Sequence, residues 1–129
     1  MKNCNFKILI VDDSDLVVER LFEIMSELEC VDSLIKATSF NQATELIKKH
    51  EPQIVLLDIQ LPGKNGIELL SFIKQNYPGI ITIMLTNSAS VYYRDMCNSM
   101  GADNFIDKSS EFEKIPHIIE SYMQVENIK

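Results

Sequence analysis

The sequence is short of the features that mark several protein classes. Its three cysteines, Cys4, Cys30 and Cys97, are odd in number and widely spaced. They form neither a disulfide framework nor a CxxC metal pattern, and fit free thiols in a reducing compartment. Glycine and proline, four of each, are too few for a collagen repeat. No linker, internal repeat or low-complexity stretch is present. No apolar run approaches the length of a membrane span. Asn3, Cys4, Asn5 and Lys7 interrupt what would have to be a signal-peptide core. Basic residues are scarce: 12 Lys and Arg against 19 Asp and Glu leave a net charge of −7. A nucleic-acid binder normally carries a basic face, so the charge argues against direct DNA binding. These absences lead us to expect a cytoplasmic protein with neither membrane nor nucleic acid as a direct partner.

What remains is an ordinary globular chain of 129 residues, 46% apolar and 24% charged, long enough for one domain with a real core. Lys7–Val11 is a short apolar run that reads as a buried parallel strand. Val17, Leu21, Ile24, Met25 and Leu28 follow at helical spacing. A turn near Cys30–Asp32 leads to a second strand at about Ser33–Ala37. Ser39 and Gln42 have capping-box spacing before a helix with Phe40, Ala43, Leu46 and Ile47 on its inner face, broken at Pro52. Ile54–Leu57 is the most apolar strand and ends at Asp58. After the Leu61-Pro62-Gly63 turn signal, Asn65 and Glu68 cap a third helix carrying Ile67, Leu70 and Ile73. Ile80–Leu85 is a fourth strand ending at Thr86. A fourth helix takes Val91, Tyr92, Met96 and Met100 as its apolar face and stops at Gly101. Asn104–Asp107 is a fifth strand, ending at Lys108. Ser110 and Glu113 suggest a capping box for the last helix, and Pro116 predicts a late start or a bend there. Five strands alternating with five helices predict an α/β fold with a mostly parallel sheet covered on both faces.

The polar residues of interest fall at strand ends: Asp12 and Asp13 after the first, Asp58 after the third, Thr86 after the fourth, Lys108 after the fifth. In an open parallel sheet these ends share one edge, where ligands bind. Three carboxylates in one cleft repel one another unless a cation lies between them. Magnesium suits an all-oxygen set. The absence of cysteine from the set, and the placement of His50 and His117 away from strand ends, argue against zinc. Magnesium beside a carboxylate suggests phosphoryl transfer, with Asp58 as nucleophile, Lys108 pairing phosphoryl oxygens and Thr86 donating a hydrogen bond. Each residue alone has a plainer role. Asp12 and Asp13 suit a helix N-terminus, Asp58 a turn, Thr86 a cap and Lys108 a solvated loop. Their joint placement favours the chemistry.

Ile10-Val-Asp-Asp-Ser14, Val55-Leu-Leu-Asp-Ile59 with Leu61-Pro-Gly63 and Gly66, Leu85-Thr86, and Gly101-Ala-Asp103 through Lys108 resemble, in this order and spacing, the receiver domain of two-component response regulators. The resemblance covers residues 6–123, leaving 124–129 as a tail and no output domain in the chain. It implies a flavodoxin-like, doubly wound five-stranded sheet of order 2-1-3-4-5. It implies that Asp58 accepts a phosphoryl group from a histidine kinase or phosphotransfer protein. Magnesium, with manganese as a substitute, would be held by Asp13 and Asp58 directly, by Asp12 largely through water, and by the Gln60 backbone carbonyl. Thr86 and Phe105 match the family's switch positions and Lys108 its phosphate-pairing lysine. The face of the fourth helix, fifth strand and fifth helix would bind a downstream partner, and reversible dimerisation through it is a further expectation. Gln60 and Ser88 flank the path of the hydrolytic water and would set the lifetime of the phosphorylated state. Such a chain is a signalling acceptor, with self-phosphotransfer and slow autodephosphorylation only, and not an enzyme acting on other substrates.

Three departures from the family pattern stand out. Asn87 replaces a very small residue, Ser109 replaces the usual proline after the lysine, and Phe105 lacks a tyrosine hydroxyl. Particular residues argue against three rival functions. A haloacid-dehalogenase-type phosphohydrolase needs a general acid at Gln60, which glutamine cannot supply. A flavin-phosphate binder would meet repulsion from Asp12, Asp13 and Asp15. A receiver degenerate in its chemistry, acting only as an interaction module, would not need the full acidic set.

Overall fold

Strand and helix alternate along the whole chain because short apolar runs of β-branched residues are separated by amphipathic stretches. A computed structural model of the chain describes residues 6–29, 31–61, 64–87 and 91–128. The elements are β1 (Phe6–Val11), α1 (Asp15–Met25), β2 (Val31–Ala37), α2 (Phe40–His50), β3 (Ile54–Asp58), α3 (Gly66–Asn76), β4 (Ile81–Thr86), α4 (Val91–Ser99), β5 (Asn104–Asp107), a 3-10 turn (Phe112–Lys114) and α5 (Ile115–Ile128). All strand pairings are parallel, in the order β2-β1-β3-β4-β5. This is the flavodoxin-like order expected from the sequence.

Alternation along the strands divides the interior in two. Ile8, Ile10, Leu56, Ile83, Leu85 and Ile106 point to one face, where Leu21 and Met25 of α1 and Ile115 and Ile119 of α5 cover them. Leu9, Val11, Val55, Leu57, Met84 and Phe105 point to the other, under Ala43 and Ile47 of α2, Leu69, Leu70 and Ile73 of α3, and Cys97 of α4. β3, in the middle of the sheet, is buried at every residue, as its apolar run requires.

Several local expectations change. β2 begins at Val31, not Ser33. Tyr93, Cys97 and Met100 form the inner stripe of α4, whereas Val91 and Tyr92 are 73% and 66% exposed. The helix is rotated by one residue from the expected stripe, and Cys97 supplies the buried contact. The capping box of α3 is complete, with Asn65 accepting from the Glu68 amide and Glu68 from the Asn65 amide. In α2 Ser39 caps as expected, but the Gln42 carbonyl oxygen accepts from the Thr38 amide and hydroxyl. No such box opens α5: Glu111 precedes the 3-10 turn, and the helix starts late. Pro116 sits in its first turn, where a missing N–H costs little. α5 continues to Ile128, so most of the expected tail is helical. Among the described residues no helix is long and apolar enough to cross a membrane. Pro62, Gly63, Cys30 and Ser88 lie outside the described residues.

Candidate phosphoryl-acceptor and metal site

Register brings the strand ends together. Val11 pairs with Leu57, Asp58 with Leu85, and Thr86 with Asp107. Asp12, Asp58, Thr86 and Lys108 thus emerge along one edge, where the chain crosses from β1 to β2 on one side and returns to β3 on the other.

Asp12 is fully buried, Asp58 and Thr86 nearly so, and Asp13 is exposed. The Lys108 ammonium, on a side chain only 6% exposed, lies 2.6 Å from Asp12 Oδ2 and 2.9 Å from Asp58 Oδ2. The contact to Asp58 has hydrogen-bond geometry. The contact to Asp12 is shorter still, so the buried Oδ2 of Asp12 has the Lys108 ammonium as its neighbour. Such an oxygen retains a lone pair for a further cation.

The amide of Ser14 donates to Asp12 Oδ1 (2.8 Å), and the Ser14 hydroxyl oxygen caps α1 by accepting from Val17. The side-chain cap of α1 is therefore Ser14 and not Asp12 or Asp13, and Asp12 holds the amide of the cap residue with one oxygen. The turn role of Asp58 is realised in part, since its Oδ1 accepts from the Gln60 amide at 3.2 Å. Lys108 is no solvated loop charge, because both its neighbours are carboxylates in the interior.

Burial raises the Asp58 carboxyl above its ordinary value, and the charge of Asp12 adds to that; Lys108 and the Gln60 amide oppose without cancelling it. Burial pulls Lys108 down, but the Asp12 and Asp58 carboxylates outweigh burial and hold it above the ordinary lysine value. An ion pair whose two members both rise looks contradictory. Stoichiometry resolves it: Lys108 is served by two anions, whereas Asp58 shares one cation with Asp12.

One oxygen from each of Asp12, Asp13 and Asp58 falls within a 4.8 Å cluster. Three carboxylates that share one ammonium are hard oxygen donors with a deficit of positive charge, and they fit a magnesium-sized cation. An open cleft of about 490 Å³ adjoins them, bounded by Asp13, Gln60, Leu61, Asn65, Thr86 and Tyr93. Gly66 packs against the same strand end: a Cβ there would overlap the carbonyl oxygen of Asp58. The first turn of α3 therefore packs directly on the backbone that carries Asp58.

Phe105 is buried in the α2-α3-α4 face, and the Arg94 guanidinium stacks 4.8 Å from its ring centroid. Asn87 and Ser109 are exposed. Sequence reasoning missed Arg94 and Glu111, which form an ion pair at 3.4 Å beside Lys108. No local motif marks them, because their meeting depends on how α4 packs against β5.

The family model of the response regulator receiver domain matches residues 8–120. The chain is similar to the chemotaxis protein CheY of Halobacterium salinarum, at 32% identity over 92% of this chain and 95% of that one. It is also similar to the transcriptional regulatory protein MalR of Bacillus subtilis, at 26% identity over 94% of this chain and 52% of that one, and to the DNA-binding transcriptional activator EvgA of Escherichia coli, at 28% identity over 88% and 55%. The chain thus spans about half the length of several curated relatives. The signal receiver domain of an HD domain-containing protein from Pseudomonas fluorescens has the same fold, with a TM-score of 0.86 at 23% identity over 97% of this chain and 99% of that one.

Proposed function

This chain belongs to the response regulator receiver domain family of two-component signalling, and from that membership we propose that it works as a switch phosphorylated on Asp58. The observation that carries the proposal is the buried Lys108 ammonium held 2.9 Å from Asp58 and 2.6 Å from Asp12, beside three clustered carboxylates. A carboxylate kept next to a fixed cation at an open cleft is placed to receive a phosphoryl group, whose oxygens the cation then neutralises.

In the proposed reaction an Asp58 carboxylate oxygen forms a bond to phosphorus. The P–N bond of a phosphohistidine on a kinase or phosphotransfer protein breaks, and the imidazole leaves with the electron pair. The product is an acyl phosphate. Asp12, Asp13 and Asp58, with the backbone carbonyl of Gln60, would hold magnesium. Bound there, the ion supplies positive charge that offsets the crowded carboxylates and phosphoryl oxygens. Lys108 pairs with phosphoryl oxygens as its contact with Asp58 weakens. Thr86, nearly buried at the end of β4, donates its hydroxyl to the phosphoryl group, and the adjacent Phe105 ring repacks. The α4-β5-α5 face presents the change to a protein partner, and Val91 and Tyr92 of α4 are exposed. Gln60 and Ser88 tune the lifetime of the acyl phosphate. The similarity to EvgA and MalR supports a place in gene regulation, and that to CheY a place in chemotaxis; in both, this chain contributes the receiver.

The test is incubation with magnesium and acetyl phosphate, followed by intact-mass spectrometry. One phosphoryl adduct is expected in wild type and none in Asp58→Asn or in excess EDTA. A wild-type protein that stays unmodified defeats the proposal.

A further inference from the structure

Among the described residues β5 is an edge strand, with β4 on one side and no strand on the other. The Lys108 amide faces inward and donates to the Thr86 carbonyl at 2.9 Å. Backbone groups alternate between the two edges of a strand, so those of Phe105 and Asp107 face the open edge. Such groups require partners. Glu111 supplies them for Asp107 twice over: its Oε1 accepts from the Asp107 amide at 3.0 Å, and its own amide donates to the Asp107 carbonyl at 2.8 Å. Arg94 supplies one for Phe105, donating from Nη1 to its carbonyl at 3.3 Å. Nη2 of the same guanidinium pairs with Glu111 Oε1 at 3.4 Å, and Lys114 holds Oε2 at 3.1 Å. Together Glu111 and Arg94 occupy the place of a missing neighbour strand, at the residue directly before Lys108.

The position of that residue matters. The Lys108 side chain enters the interior from the end of an edge strand, and the following Ser109 has no ring to stiffen the chain. Asp107 compensates on that side, its Oδ1 accepting from the Ser109 amide at 2.8 Å and the hydroxyl at 2.6 Å. Glu111 compensates on the other. We propose that Glu111 is a positioning residue for phosphoryl transfer, which by holding the Asp107 backbone fixes where Lys108 delivers its ammonium between Asp12 and Asp58. The inference rests on the acceptor role of Asp58 proposed above.

Glu111→Ala removes the acceptor, while Glu111→Gln keeps a carbonyl oxygen for the Asp107 amide. At saturating magnesium and acetyl phosphate, Glu111→Ala should be phosphorylated about tenfold more slowly, and Glu111→Gln should recover to within about threefold of wild type. Magnesium affinity, set by carboxylates on the β1 and β3 ends, should stay within about twofold in both. Amide exchange read by NMR without magnesium or phosphodonor should speed up at Asp107 in Glu111→Ala and remain slow in Glu111→Gln. Wild-type rates in the alanine variant overturn the inference and leave the acceptor role of Asp58 standing. So do an unchanged Asp107 exchange rate, a glutamine variant as slow as alanine, or a loss of magnesium affinity as large as the loss of rate. A wild-type protein that takes no phosphoryl group overturns the acceptor role and this inference together.

Discussion

Lys108 and Asp58, 50 residues apart in sequence, meet at 2.9 Å at the end of the sheet. The same ammonium also serves Asp12, which has no exposed surface. Removing it leaves two interior carboxylates with one cation fewer than they need. Lys108→Ala should therefore cost about 3 kcal/mol of stability at neutral pH without magnesium. Added magnesium should restore part of that loss. Urea unfolding with and without the metal measures both effects; a variant as stable as wild type in EDTA contradicts the charge accounting.

The burial that raises the Asp58 carboxyl carries a stability consequence of definite sign. An acid whose folded pKa lies above its unfolded value disfavours folding while ionised. The cost is complete above the folded pKa and fades as pH falls through it. Asp58→Asn should thus melt at a higher temperature than wild type at neutral pH in EDTA, and the gap should close on acidification. A variant that melts lower at neutral pH contradicts the assignment.

Magnesium should reverse that order. A ligand held by Asp58 stabilises the wild type by about 1.4 kcal/mol at ten times its Kd. Asp58→Asn and Asp13→Asn should gain far less at the same concentration. Thermal shifts across a magnesium titration measure this, and equal shifts in all three proteins would remove these carboxylates from the metal site.

Gly66 joins the fold to the chemistry. A methyl group at this position would overlap the Asp58 carbonyl oxygen and crowd Cα of Ile59. Both are backbone, which cannot rotate aside. Gly66→Ala should cost about 3 kcal/mol and slow phosphorylation of the surviving folded protein, as α3 or the β3 end moves away. Chemical unfolding and adduct kinetics report the two effects; a neutral substitution would show that α3 adapts at no cost.

Much of the fold was legible in the sequence because strands and helices announce themselves by period. Ile54–Leu57 and Asn65–Glu68 read directly as a buried strand and a capped helix, and so they are. The convergence of the candidate site residues was legible for a topological reason: parallel strands place Asp12, Asp58, Thr86 and Lys108 at one edge without any knowledge of packing. The misreadings have a common cause. The apolar pattern of the fourth helix puts Val91 and Tyr92 inward, yet the rotation of α4 is decided by Tyr93, Cys97 and Met100 against the sheet. Ser110 and Glu113 have the spacing of a box, but Glu111 is engaged by the β5 edge first. Arg94 and Glu111 could not be paired from sequence, since their partners are backbone groups exposed only because β5 ends the sheet.

The central claim, that Asp58 is the acceptor, is tested most directly by locating the phosphoryl group. Protein treated with magnesium and acetyl phosphate is reduced with borohydride, which converts an aspartyl phosphate to the homoserine alcohol, then digested and sequenced by mass spectrometry. The account predicts that the converted residue is Asp58, and that none appears when magnesium is withheld. Conversion at Asp12, Asp13 or another carboxylate, or at none, would contradict it.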